Sequence, residues 1–275
     1  VKPTLHPASE KMLVAVTNNL PQSLLLTGDS GVGLGAISKY IAELQHLKPT
    51  IILPEKDDKI DLEKGIINVD IMRRLYDETR TKTAGQRIII IDYAERMTGQ
   101  AQNAFLKLLE EPGDGVYFIL VSHSVSKLLP TILSRTENLN IKPITATQSE
   151  EILDSLSVTD KTKRSQLLFL ASGLPAELVR LVNNEKYFDQ MCLLVRDARE
   201  LLRGTTYQKL LIAHRYKDNR DQVLQLLTIS AKILKQSIVS NPQIDIIKHV
   251  DKFLETYKHI EANGNIRLCL ARLAI

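Results

Sequence analysis

The chain has 275 residues, 44% of them hydrophobic and 25% charged, with a formal net charge of +4. That balance excludes a mainly disordered chain, and the length points to about two domains. No apolar run approaches the ~20 residues of a membrane helix, residues 1–7 show no apolar signal core, and Cys192 and Cys269 form neither a CxxC clip nor a disulfide framework, so a cytoplasmic protein without membrane partners is expected.

The first half alternates strand-like and helix-like segments. Ser23–Thr27 is a short apolar run that leads directly into a glycine cluster. Ile37, Tyr40, Ile41 and Leu44 then follow the spacing of one helix face. Thr50–Leu53 predicts a second strand closed by Pro54, and a charged loop through Asp57, Asp58 and Lys59 precedes a helix with Val69, Met72, Leu75 and Tyr76 on one side. Arg87–Ile91 contains four consecutive isoleucines with no alternation, the mark of a strand buried on both faces in a parallel sheet. Thr98 is placed to cap a helix carrying Ala101, Ala104, Phe105, Leu108 and Leu109, which Pro112 stops. Val116–Val121 and Asn138–Ile141 supply two more strands. Strands this apolar, alternating with helices, predict an α/β domain with a parallel sheet.

Beyond Pro143 only helical patterns remain. Thr147 and Glu150 have the S/T-x-x-E spacing of a capping box opening a helix through Leu156. Helices are expected over Lys163–Ala171, Pro175–Val182, Tyr187–Leu202, Thr205–Arg215, Gln222–Val239, Asp245–Glu261 and Arg267–Leu273, punctuated by Gly173, Gly204, Pro242 and Asn263-Gly264. Val223, Leu226, Leu227, Ile229, Ile233 and Leu234 lie on a broad apolar face of one of these helices. Residues 1–150 carry 17 basic and 18 acidic residues and residues 151–275 carry 19 and 14. A skew of that size is typical of solvated helix faces and does not by itself indicate nucleic-acid binding.

The cluster Gly28-Asp29-Ser30-Gly31-Val32-Gly33 sits between a strand and a helix, the context of a phosphate-cradling loop, and Gly28 and Gly33 have its spacing. The position that needs Lys holds Leu34, and the one that needs Ser or Thr for Mg²⁺ holds Gly35. The isoleucine strand ends in Asp92, as a Walker B strand does, but Tyr93 follows where a water-activating Glu is required, and a phenol is a poor base at neutral pH. Two halves of one catalytic apparatus are thus both degraded. Gly28-Asp29-Ser30-Gly31 spells a serine-protease tetrapeptide but has no evident His partner. The acidic stretch 57–63 lacks the glycine and terminal Glu of a calcium loop. The six histidines show no metal-ligand spacing, so no metal site is expected.

Arg87 to Thr98, then Ala101-Gln102-Asn103-Ala104 through Leu108-Leu109-Glu110-Glu111-Pro112, then Leu128 to Thr136 together resemble the bacterial clamp-loader AAA+ family of DNA polymerase III, and most closely its delta-prime type. His6-Pro7, Leu20-Pro21, Val69–Leu75 and Asn263–Leu270 extend the likeness over nearly the whole chain, weakly in the C-terminal helices. The resemblance implies an AAA+ P-loop parallel sheet with flanking helices over 1–145, a small helical lid over 146–183 and an all-α collar over 184–275, whose helices, that of Gln222–Val239 among them, are expected to meet other subunits through their apolar faces.

It also implies a function. Delta-prime-like subunits are often ATPase-dead members of a five-subunit ring that loads the sliding clamp on primed DNA. They lend an arginine finger from a Ser-Arg-Cys motif to a neighbour's ATP. Here that motif reads Ser134-Arg135-Thr136, so Arg135 would act in trans beside Ser134, while Gly28, Gly31, Gly33 and Asp92 would be a vestigial nucleotide site. Ser122-His123 stands where active members favour Thr-Asn. Gly173-Leu174-Pro175-Ala176 resembles the start of the second sensor helix without its nucleotide-contacting Arg, Arg180 lying one turn further on. Many members carry a four-cysteine zinc module after the first helix; residues 45–64 hold no cysteine, so no zinc is expected. No cofactor is expected on this chain, ATP and Mg²⁺ being bound by partner subunits; the implied partners are other clamp-loader subunits of the gamma/tau and delta types, with the sliding clamp and primed DNA met through the complex. The alternatives are a hydrolysing AAA+ motor subunit, against which Leu34, Gly35 and Tyr93 weigh, and a diverged AAA+ adaptor in repair or recombination.

Overall fold

The computed structural model of the chain describes residues 2–80, 85–240 and 244–274. They form two compact units, Val1–Asn183 and Asn184–Ile275. The first contains α1 (Pro7–Asn18), β1 (Ser23–Thr27), α2 (Leu34–Leu44), β2 (Thr50–Ile52), β3 (Glu55–Lys56), β4 (Lys59–Ile60), α3 (Val69–Arg80), β5 (Arg87–Ile91), α4 (Gly99–Glu110), β6 (Val116–Ser122), α5 (Pro130–Leu133), β7 (Glu137–Asn140), α6 (Ala146–Ser155), α7 (Lys161–Ala171) and α8 (Pro175–Asn183). Five strands make one parallel sheet in the order β2-β5-β6-β1-β7.

The isoleucine run explains the layering. Ile89 and Ile91 pack on one side of the sheet with Phe105, Phe118 and Met72. Ile88 and Ile90 pack on the other with Leu24, Leu26, Ile37 and Ile41. Successive residues of a strand face opposite ways, so an unbroken apolar run requires helices on both faces. Each sealed isoleucine contributes about 1.5–3 kcal/mol of burial.

Several local features depart from the sequence expectation. Where a charged loop is predicted, β3 and β4 pair as a hairpin in which Lys56 faces Lys59. Its two-residue turn, Asp57 (φ 51°) and Asp58 (φ 58°), has both residues left-handed, the backbone of a tight hairpin turn that Asp tolerates. An unanticipated helix, α1, is started by Pro7 and capped by His6, whose Nδ1 accepts from Ala8 N–H at 3.1 Å. The capping box at α6 is formed by Thr145 and Gln148, two residues before the expected Thr147 and Glu150. Gln148 also donates from Nε2 to the Leu5 carbonyl at 2.7 Å, a second bond that a Glu carboxylate could not make. Glu150 instead pairs with Arg164.

The second unit is helical: α9 (Glu185–Arg203), α10 (Thr206–Arg215), α11 (Arg220–Ser240), α12 (Ile244–Glu261) and α13 (Ile266–Ala274). The apolar face of α11 expected to meet other subunits is used at home. Val223, Leu226, Leu227, Ile229 and Leu234 are buried in this unit's own core with Ala198 and Phe253, and Ile233 packs against them. The exposed apolar residues of the neighbouring helix α10 are Tyr207, Leu210 and Leu211.

Candidate functional site

The glycine loop lies at the C-terminal end of β1, outside the carboxyl edge of the sheet where parallel α/β folds place ligands. Backbone geometry accounts for the glycines. A Cβ on Gly28 would lie 2.7 Å from the Ile141 carbonyl oxygen. Gly31 and Gly33 are left-handed, at φ 94° and 93°, and Gly33 is the N-cap of α2. Leu34, in the position that needs an ammonium, is 1% exposed and packed in the sheet–helix core. Gly35 stands against Asp92, whose Oδ2 would be 3.2 Å from a Cβ placed there. The loop and the strand-end carboxylate are therefore brought together, while Leu34 and Gly35 supply neither the ammonium nor the hydroxyl that a phosphate loop carries at those two positions.

Asp92 is half-buried at the end of β5. Burial pushes its carboxyl up from the ordinary range, opposed by the Tyr93 N–H that donates to Oδ1 at 3.0 Å. His123 and Lys39 also lower it, and Glu95 raises it. A carboxyl whose proton affinity rises on folding costs stability once it ionises, and that cost disappears as pH falls through the carboxylate range. Asp92→Asn keeps an acceptor for Tyr93 N–H, so we expect a small rise in Tm at pH 7 that is lost near pH ~3. Thermal melts at the two pH values check it; a lower Tm at pH 7 would show that the charge supports the fold.

Beside Asp92, an aromatic cluster fills the place of the water-activating Glu. Tyr93 has a left-handed backbone (φ 55°), its ring meets His123 edge-on at 6.1 Å, and Arg96 lies 5.0 Å over it. His123 Nδ1 lies 3.0 Å from the Gly28 carbonyl oxygen, and the His123 backbone N–H donates to Glu95 Oε2 at 3.3 Å. The sequence places His123 just after the strand ending at Val121, and the sheet order then sets that strand end between those of β5 and β1.

Gly31 faces the lid. Its carbonyl accepts from Ala176 N–H at 2.9 Å and Glu177 N–H at 3.3 Å, satisfying the first-turn donors of α8 that a helix leaves open. A Cβ at Gly31 would lie 3.0 Å from the Glu177 Cβ. Arg180, one turn along, lies 4.0 Å from the Glu177 carboxylate.

Ser134 and Arg135 follow the short helix α5, and among the described residues no contact joins them to the glycine loop. Ser134 Oγ donates to the Thr131 carbonyl at 3.1 Å. Arg135 donates from Nη1 to the same carbonyl at 3.2 Å and from Nη2 to Glu110 Oε1 at 2.9 Å. The segment leading to α5 is held by Gln102, buried on α4. Its Nε2 donates to the Met97 and Lys127 carbonyls, and its Oε1 accepts from Leu129 N–H at 2.8 Å.

A glycine loop after β1, a carboxylate at the end of the strand two positions away, and a helical lid docked on the loop define an AAA+ type P-loop architecture. Residues 9–145 match the family described as "DNA polymerase III, delta subunit", and over that segment the chain belongs to this family. It is 31% identical to the DNA polymerase III subunit delta' of Pseudomonas aeruginosa over 168 residues, 60% of this chain and 49% of that protein. The corresponding subunit of Haemophilus influenzae is 25% identical over 218 residues, 62% of this chain and 67% of that protein. The match thus spans about half the length of the Pseudomonas relative. A solved DNA polymerase III gamma subunit-related protein from Thermotoga maritima shares the fold, with a TM-score of 0.55 at 18% identity over 97% of each chain.

Proposed function

We propose that the chain is a non-hydrolysing, delta-prime-like subunit of a DNA polymerase III clamp loader. In this reading it joins gamma/tau- and delta-type partners, helps them place the sliding clamp on primed DNA, and lends Arg135 to ATP held by its neighbour. The observation that carries the non-hydrolysing part is Leu34 sealed in the core beside Gly35, which has no hydroxyl to offer next to Asp92. The motif positions do not fit a magnesium–nucleotide: Leu34 has no ammonium for the β- and γ-phosphates, Gly35 has no hydroxyl for the metal, and Tyr93 stands in place of the carboxylate base. The lid is held on the loop by backbone bonds within this chain.

Arg135 has the chemistry for a role outside its own subunit. Its guanidinium is permanently charged and planar, and it is 40% exposed. Placed on a neighbour's γ-phosphate it would stabilise the charge that develops on phosphoryl transfer. The exposed apolar side chains of α10 fit an association role for the second unit.

Mixing the purified chain with the clamp-loader subunits encoded by the same genome tests the reading. Size-exclusion chromatography should show one complex containing this chain, and the chain alone should release no phosphate from ATP. Separate elution, or turnover by the chain alone that Asp92→Asn abolishes, would refute the reading.

A further inference from the structure

We infer that Glu110 is the positioning residue for Arg135, holding its guanidinium in the plane in which it is offered to a neighbour's phosphate. The inference rests on the trans-acting role of Arg135 proposed above. Two anchors converge on the guanidinium: the Thr131 carbonyl on Nη1 and Glu110 Oε1 on Nη2. A guanidinium has five N–H donors. Two are used here, so three remain for a phosphate while the anchors stay in place.

The location of Glu110 supports the same conclusion. It is the last residue of α4, where the helix macrodipole disfavours a carboxylate. Lys107, also in the last turn, is one compensating charge, and Glu111 beside it adds to the repulsion. The guanidinium of Arg135 is the cation whose contact with Glu110 is made, at 2.9 Å. Helix α4 is seated by Phe105 and Leu108 in the core, which anchors the backbone that carries Glu110, whereas Arg135 follows a one-turn helix. An arginine held at two points loses less rotamer freedom when it meets a ligand than a free one.

The pair is exposed, 40% at Arg135 and 54% at Glu110, so its effect is modest. In the reconstituted complex, Glu110→Ala should lower DNA- and clamp-stimulated kcat at the site served by roughly two- to fivefold, with KM for ATP unchanged. Glu110→Gln, which keeps the acceptor oxygen, should restore most of the rate. The double variant Glu110→Ala/Arg135→Ala should be no slower than Arg135→Ala alone. If Arg135→Ala slows the complex but Glu110→Ala leaves it unchanged, or the two losses multiply, Glu110 does not act through Arg135 and the inference falls while the arginine role stands. If Arg135→Ala itself has no effect, the underlying reading has failed.

Discussion

Asp197→Ala is expected to cost the second unit roughly 3–5 kcal/mol. Asp197 lies in the middle of α9 and is fully buried. Its Oδ2 accepts from Tyr216 Oη at 2.8 Å and from Arg215 Nη1, and its Oδ1 is 3.3 Å from both Nε and Nη2 of Arg196. Tyr216 is itself buried, and its phenol is held well above the ordinary range, first by burial and then by the bond to Asp197. Truncating the carboxylate strands that hydroxyl in the core. Arg215 and Arg196 are 48% and 65% exposed, so they rehydrate, and this places the cost at the lower end of the range. Asp197→Asn retains an acceptor for Tyr216 and should lose only about 1–2 kcal/mol. Urea denaturation of the full chain followed by far-UV circular dichroism should rank wild type, Asp197→Asn and Asp197→Ala in falling order. Equal midpoints for all three would mean that the network contributes nothing.

How much of this was legible in the sequence depends on whether the cause is local. The buried strands were, because four isoleucines in a row leave no polar face, and so was the Thr98 cap, since its partner Ala101 N–H is three residues away. The hairpin was not: Lys56-Asp57-Asp58-Lys59 reads as a solvated charge run, and only the left-handed backbone of both aspartates turns it into a tight turn. Helix α1 was missed because it buries only Ser9, Leu13 and Val16 while leaving Met12 and Val14 exposed, which blurs its apolar stripe.

At the candidate site, the residue types were visible and their partners were not. Gly31 reads as a phosphate-loop glycine, yet its carbonyl bonds a lid helix some 145 residues further along the chain. His123 reaches back to Gly28, and Glu110 to Arg135, each across a separation that no spacing rule covers. The sheet order β2-β5-β6-β1-β7 is equally non-local, set by which apolar edges pair in space. The face of α11 shows the converse limit: a broad apolar stripe demands burial but does not say whether the partner is the same chain or another.

Arg135→Ala is expected to have the largest effect of all, on ATP hydrolysis by the proposed complex. The side chain is exposed and lies outside the buried core, and its contacts are Thr131 and Glu110, so the variant should fold and enter the complex as the wild type does. Arginines that complete a neighbour's phosphoryl-transfer site are worth about 10³-fold or more at that site. In the proposed complex the other sites would keep working, so the bulk loss would be partial while the site served would be nearly silent. Arg135→Lys should rescue little, because a point charge cannot reproduce the planar fork. Arg96→Ala, which removes the guanidinium over Tyr93, is the comparison expected to leave the rate near wild type. The decisive measurement is phosphate release by the reconstituted complex in the presence of clamp and primed DNA, with wild-type or Arg135→Ala chain. A lower rate with assembly intact is the result expected of a subunit that has lost its own site and serves another's; an unchanged rate would make the chain a scaffold and contradict the account.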